Sequence, residues 1–211
     1  MEIKKVIFLL SSLFIDNIYS RTYSKVFKNK GLEIRIEEGD ITKSTSKVIV
    51  NAANKELKGG SGVCGAIFKA AGSKNLQKEC DNFSSKKGVR CEIGKSVITN
   101  SYDLKANGVS KIIHAVGPDC RKITDKKKQD ELLKSTYLSS LSLCLDKKYN
   151  SISYPFISSG KYAFPKDRAS LIALKTILNN KKSSKKKPVV VKFDLADSSD
   201  YDLFVKNLKK M

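Results

Sequence analysis

A chain of 211 residues that is 40% hydrophobic, with eight tyrosines and nine phenylalanines, can fill the core of one domain of ordinary size, which excludes a disordered or low-complexity chain. Its five cysteines include no C-x-x-C pair and His114 is its only histidine, so neither a metal site nor a disulfide framework is expected. The formal charge of +20 favours polyanions such as nucleic acid or an anionic membrane surface, but the lysines are spread along the chain without interleaved aromatics, as on a solvated basic surface.

Residues 1 to 20, MEIKKVIFLLSSLFIDNIYS, place Lys4 and Lys5 ahead of an apolar run from Val6 to Ile15 that is too short to cross a bilayer as a helix. With the small Ser20 at the cleavage point, this stretch predicts a secretory signal and export to a periplasm or to the exterior. An uncleaved segment packed on a cytoplasmic domain is the alternative. Arg21, Lys25, Lys28 and Lys30 make residues 21 to 30 a basic lead-in, and the domain is expected over 31 to 211, as a monomer with no membrane contact in its mature form.

Leu32, Ile34 and Ile36 alternate with Glu33, Arg35 and Glu37, the period-two pattern of a strand with one exposed face, and Gly39-Asp40 ends it. Val48 to Val50 read as a short buried parallel strand. Asn51 and Asn54 follow at its C-terminal end, where open α/β sheets bind ligands, and their amides offer donors and acceptors to a sugar hydroxyl. Gly59-Gly60-Ser61-Gly62 then leads into a helix from Val63. A glycine run allows close backbone approach and a helix start favours an anion, so the expected guest is a phosphate carrying a sugar. The spacing is neither that of a Walker A loop nor that of a G-x-G-x-x-G fingerprint.

A short helix is predicted over Leu76 to Phe83, and strands over Ser96 to Thr99 and Lys111 to Val116. His114 lies inside the second strand with no nucleophile pattern beside it, and reads as a structural histidine. Leu133, Tyr137, Ser140, Leu141 and Cys144 give an amphipathic helix over Asp130 to Asp146. The strand Ser151 to Ile157 runs into Ser158-Ser159-Gly160-Lys161-Tyr162-Ala163-Phe164-Pro165, a second small-residue loop at a strand end. A helix from Ala169 to Ile177, a charged connection over Lys181 to Lys187, a strand Val189 to Phe193 and a helix through Tyr201, Phe204, Val205 and Leu208 complete the chain. Strands alternating with helices predict an α/β fold, a three-layer α/β/α sandwich with a mostly parallel central sheet.

The segments GDIT, VNAAN, GGSGVCGAIFKAAG, IIHAVGP and SSGKYAFP, in that order, resemble the macrodomain family of ADP-ribose-binding proteins, closest to the MacroD-type and viral branches that include ADP-ribosyl hydrolases. The resemblance covers about residues 31 to 210. It implies ADP-ribose or an ADP-ribosylated protein as partner and no cofactor. It assigns the Asp40 carboxylate, with Ile41 beside it, to the adenine amino group, although Asp40 suits a turn or an N-cap as well, and it has Asn54 orient the distal ribose. Gly59, Gly60, Ser61, Gly62 and Val63 on one side, and Ser158, Ser159 and Gly160 on the other, are placed around the diphosphate, with Tyr162 near the distal ribose, while Lys161 either adds charge for the phosphates or points to solvent.

The chain departs from the family pattern at Lys161, where a small aliphatic residue is usual, at Ala163, where glycine is common, and at Ala196, where many relatives stack an aromatic on adenine. Cys64 stands where the MacroD-type pattern has the aspartate that assists a water. The activity implied is hydrolysis of ADP-ribose from modified acidic side chains or of an ester such as O-acetyl-ADP-ribose. No Ser-His-Asp or Cys-His arrangement exists, so rate would come from positioning a water and stabilising charge. Cys64 is either packed or a reactive thiol at a helix N-terminus. A reader of ADP-ribose or poly(ADP-ribose) without turnover, and a basic nucleic-acid binder, are the alternatives.

Overall fold

In the computed structural model, which describes residues 21–28, 31–180 and 188–211, alternation within the central strands decides how the layers stack. The signal sequence expected at 1–20 and the charged connection expected at 181–187 lie outside the described residues. Strands β1 (Thr22–Phe27), β2 (Leu32–Glu38), β3 (Val48–Ala52), β4 (Ser96–Asn100), β5 (Lys111–Ala115), β6 (Ser151–Tyr154) and β7 (Val189–Leu195) form one sheet. Its order is β1-β2-β7-β6-β3-β5-β4. The β1/β2 and β4/β5 pairs at the edges are antiparallel and the interior pairs are parallel.

Val48, Val50 and Ile113 point to one face and Ile49 and Ile112 to the other. Helices α1 (Gly62–Ala71) and α2 (Ser73–Asp81) cover the Ile49 face through Ile67, Phe68, Leu76 and Cys80. Helices α3 (Lys126–Asp146), α4 (Lys166–Leu178) and α5 (Ser198–Lys209) cover the Val50 face. There Tyr137, Tyr154, Phe193 and Phe204 form a chain of ring contacts at centroid distances of 5.3 to 5.7 Å and 4.8 Å. The predicted sandwich and its mostly parallel sheet are observed.

Among the boundaries that differ from the sequence reading, three have a plain physical cause. The basic lead-in is an edge strand: Tyr23 and Phe27 turn inward against the core, and the Lys25 ammonium, on the same side, donates to the Leu208 carbonyl at 3.3 Å. Strand β6 stops at Tyr154 rather than Ile157, because Pro155 has no N–H to continue the ladder. Helix α3 begins at Lys126, four residues early, since Asp125 accepts hydrogen bonds from the backbone N–H groups of Lys127 and Lys128 and caps it.

His114 is fully buried between β3 and β4. Its Nε2 lies 3.0 Å from Thr99 Oγ1, which itself donates to the Asn100 carbonyl, so Nε2 carries the proton and Nδ1 accepts from Asn51 Nδ2 at 3.1 Å. Burial pushes the imidazole down to about 4 from its ordinary 6.5, which makes it a neutral core residue. The unfolded chain therefore takes up a proton between pH 6.5 and 4 that the folded chain refuses. This contribution to stability is complete above pH 6.5 and is lost as pH falls, by about 3 kcal/mol in all. Denaturant melts at pH 7, 5.5 and 4 should show the advantage of wild type over His114→Gln shrinking by that order. A pH-independent difference would contradict a neutral buried imidazole.

Candidate functional site

Strands β3 and β6 are neighbours whose chains leave in opposite directions, β3 toward α1 and α2 on one face and β6 toward α4 on the other. Such a switch point opens a crevice at the C-terminal edge of the sheet. The crevice has a volume of about 420 Å³. The exits of three strands line it: Ala52 to Glu56 and the glycine loop after β3, Gly117 to Lys122 after β5, and Phe156 to Tyr162 after β6.

The glycine loop is seated on the first turn of α1. A Cβ on Gly65 would lie 2.3 Å from the Gly60 carbonyl oxygen, so only glycine lets loop and helix approach this closely. Gly62 takes φ 60°, and Ser61 caps α1 without a side-chain hydrogen bond, which leaves first-turn N–H groups for an anion. From behind, Gln77 accepts from Gly59 N at 3.0 Å and donates to the Leu57 carbonyl at 3.3 Å. Asn54 lines the crevice, and its amide also clasps Lys58, accepting from its N–H at 3.0 Å and donating to its carbonyl at 2.7 Å.

The opposite wall is the loop after β6. Ser158 and Ala163 both take positive φ, 65° and 53°, and the turn between them closes through Phe164 N to the Ser158 carbonyl at 3.0 Å. Ala163 holds a left-handed backbone that glycine adopts more readily. Gly117 packs so tightly on this loop that a Cβ there would meet Ser158 Oγ at 2.2 Å, and Cys120 N donates to the Tyr162 carbonyl at 2.9 Å. Asp119 and Arg121 form a two-pronged ion pair with contacts of 2.8 and 2.7 Å. The guanidinium holds the Asp119 carboxyl below the usual carboxylate range, chiefly through these hydrogen bonds.

Cys64 lies on the crevice floor, buried, with Asn51 Nδ2 3.6 Å from its sulfur. Burial pushes its thiol up, more than the hydrogen bonds from Asn51 and the Gly60 backbone pull it down. It is a protonated thiol at neutral pH, which weighs against a thiolate nucleophile.

Of the residues singled out in the sequence, Asn54, Gly60, Ser61, Gly62, Val63, Cys64, Ser158, Gly160, Lys161 and Tyr162 come together on the lining. Five others do not. Asn51 is still inside β3 and 0% exposed, turned under α1 onto His114. Asp40 is exposed beyond the lining and caps the turn Ile41–Lys43 through Thr42 N at 2.8 Å, and Ile41 is buried in the core under α1. Gly59 faces a second, more open groove of about 560 Å³ behind the glycine loop, beside Lys74 and Gln77. Ser159 turns its hydroxyl back onto the Phe156 carbonyl at 2.8 Å. The sequence reading missed Glu56, Phe156, Asp119, Arg121 and Lys122. The strand-end rule that found Asn54 also applies after Lys111 to Val116, and would have found the Asp119 loop.

The Macro domain family model matches residues 50–173, which include both crevice loops and the β5 exit. The chain belongs to the Macro domain family. It is 43% identical over 144 residues to an O-acetyl-ADP-ribose deacetylase of Escherichia coli, covering 68% of this chain and 77% of the relative. The Oceanobacillus iheyensis macrodomain solved with ADP superposes with a TM-score of 0.80 at 37% identity, covering 91% of this chain and 97% of that one. The Trypanosoma brucei macrodomain solved with ADP-ribose gives a TM-score of 0.69 at 29% identity, covering 83% and 68%.

Two glycines test how this macrodomain holds its loops. Gly65→Ala should lower the unfolding free energy by about 1–3 kcal/mol, although alanine is the better helix former, because its methyl collides with the Gly60 carbonyl. Gly160→Ala, with nothing within 4 Å of the added carbon, should stay within about 0.5 kcal/mol of wild type. Equal denaturant midpoints for the two variants would show that the loop is not seated on α1.

Proposed function

We propose that the crevice binds ADP-ribose and hydrolyses ADP-ribose esters, the substrate class being O-acetyl-ADP-ribose or ADP-ribose carried on acidic side chains of proteins. The observation that carries this reading is the pair of loops facing each other across the crevice, Gly60 to Val63 ahead of α1 and Ser158 to Gly160 after β6. Between them, backbone N–H groups suit a diphosphate. Phe156, on the β6 side toward β7, offers a ring for the base, while Asn54 and Tyr162 offer polar groups for the distal ribose. The relatives named as O-acetyl-ADP-ribose deacetylases support the activity, and the solved relatives with ADP and ADP-ribose support the ligand.

In this reading a water attacks an electrophilic carbon of the ester, the C–O bond breaks with its electron pair going to the leaving oxygen, and the water gives up a proton. Cys64, held as a neutral thiol, takes no proton from it, so the reading gives that task to a phosphate oxygen of the substrate. The protein's part is to fix ribose and water in register, an effect that displacement of either by about 1 Å can undo.

Cys64 also favours a second reading, a module that binds ADP-ribose without turnover. Calorimetry should show ADP-ribose bound in preference to AMP, and Gly160→Glu, whose side chain projects into open space at the diphosphate loop, should abolish binding in a folded protein. Asn54→Ala should lose on the order of 1 kcal/mol of binding per ribose hydrogen bond and a larger factor in rate. Turnover of O-acetyl-ADP-ribose that survives Cys64→Ala supports the hydrolase. Binding without turnover, with hydrolysis gained in Cys64→Asp, supports the reader. Equal affinity for ADP-ribose and AMP would overturn the two-loop site.

Export is part of the same proposal. Strand β1 begins at Thr22, so cleavage after Ser20 would keep all seven strands of the described residues. Protein recovered from native cells should have Arg21 as its first residue. An intact Met1 or Glu2 in the soluble cytoplasmic fraction would refute export.

A further inference from the structure

The β5 end of the crevice holds an arginine whose orientation is fixed more firmly than a rim cation requires. Asp119 accepts from Arg121 Nε at 2.8 Å, from Nη2 at 2.7 Å and from the Arg121 backbone N–H at 3.1 Å. A fork of this kind sets the guanidinium plane as well as its place. The Asp119 side chain is 10% exposed and that of Arg121 46%, so the carboxylate is the buried anchor and the guanidinium faces outward. The guanidinium carbon lies 5.9 Å from the Tyr162 ring centroid, and Cys120 N donates to the Tyr162 carbonyl, so the two loops hold each other in place. Arg121 has five N–H donors, of which the Asp119 carboxylate takes two. Among the described residues, no other side chain bonds to the remaining three in this structure. Since the pair is close to neutral, Arg121 acts there as a directed donor rather than as a general trap for anions.

Sheet order decides what such a donor meets. Across the crevice the strand exits run β6, β3, β5, with Phe156 on the first, Asn54 on the second and Arg121 on the third. A base at Phe156 and a diphosphate between the two loops leave the distal ribose at Asn54 and Tyr162. A group esterified to that ribose then projects toward the β5 exit. Resting on the ADP-ribose reading above, we propose that Arg121 is a specificity-determining residue that recognises the acyl group carried by the distal ribose, its free N–H groups donating to the acyl oxygen.

The chemistry suits either direction of attack. If water adds to the acyl carbon, the carbonyl oxygen becomes an oxyanion before the ribose oxygen departs with the electron pair. If water adds to the anomeric carbon, the acyl group departs as a carboxylate. Negative charge develops on an acyl oxygen in both, and a pre-oriented guanidinium stabilises it.

The test uses the full chain as wild type, Arg121→Ala, Arg121→Lys and Asp119→Asn, with ADP-ribose affinity measured by calorimetry and kcat and KM measured on O-acetyl-ADP-ribose. Arg121→Ala should keep the ADP-ribose Kd within about twofold and lower kcat/KM on the acetylated substrate by about tenfold or more. Lysine should restore only part of it, because it has charge without the fork, and Asp119→Asn should fall between. If wild type binds without turnover, the same contrast is read from the Kd values of O-acetyl-ADP-ribose and ADP-ribose. Equal losses for both ligands would show that Arg121 merely braces the Tyr162 wall, and an unchanged kcat/KM would show that it touches nothing. Either result overturns this inference alone. A wild type that fails to bind ADP-ribose overturns the reading of the crevice and this inference with it.

Discussion

The contact on which the site depends is the one between the Gly60 carbonyl and the first turn of α1. Placing a carbonyl oxygen 2.3 Å from where the Cβ of residue 65 would sit requires glycine there, and this closeness brings the loop across the end of β3. Were the loop to stand off, Asn54 would lose its grip on Lys58 and Gln77 its grip on Gly59, since both bonds assume the loop's present height. Gly117 plays the matching part on the other side, pressed against Ser158. The crevice is thus framed by two close approaches at glycine, Gly65 against the Gly60 backbone and Gly117 against the Ile157 and Ser158 side chains. Rigid backbone suits a diphosphate because amide donors already in place need no ordering when the ligand arrives.

Beneath the crevice a buried polar string, Cys64, Asn51, His114 and Thr99, ties its floor to β4. The neutral imidazole makes the string possible, because its protonated Nε2 and bare Nδ1 meet an acceptor and a donor in turn. A charged ring would present two donors and leave Asn51 Nδ2 opposed. Burial alone depresses the His114 pKa, and the neutral ring it leaves accepts from Asn51. The string ends at the Cys64 sulfur, which lines the crevice.

The fold was legible because its central strands are short apolar runs followed by small-residue loops, and because period-two and helical patterns separate cleanly. It failed where a charge interrupts a pattern or a backbone rule outweighs it. Lys25 hid the alternation of Tyr23 and Phe27 in β1, and Pro155 ended β6 inside an apolar run. At the site, the glycine and serine loops announced themselves, while Asp119 and Arg121 looked like an ordinary polar turn. Asn51 and Asn54 look equivalent in sequence. Strand β3 runs on to Ala52, so residue 51 keeps the inward parity of Ile49 and residue 54 falls in the loop. Which of two asparagines faces a ligand is decided by where the ladder stops, and that depends on β5 as the pairing partner.

The electrostatics of the crevice bear on how it can work. The Asp119 carboxylate is held ionised by Arg121 and made a poor proton acceptor, and the Cys64 thiol is held neutral by burial. Neither is tuned toward neutral pH, as a general base would be. A protein on which 41 basic residues face 21 acidic ones attracts a diphosphate from a distance. What long-range charge cannot supply is direction. The fixed groups supply that: the two backbone loops and the clasped asparagine. In the proposed hydrolysis, rate comes from groups held still around a substrate that brings its own phosphate, and the thiol at residue 64 serves as floor.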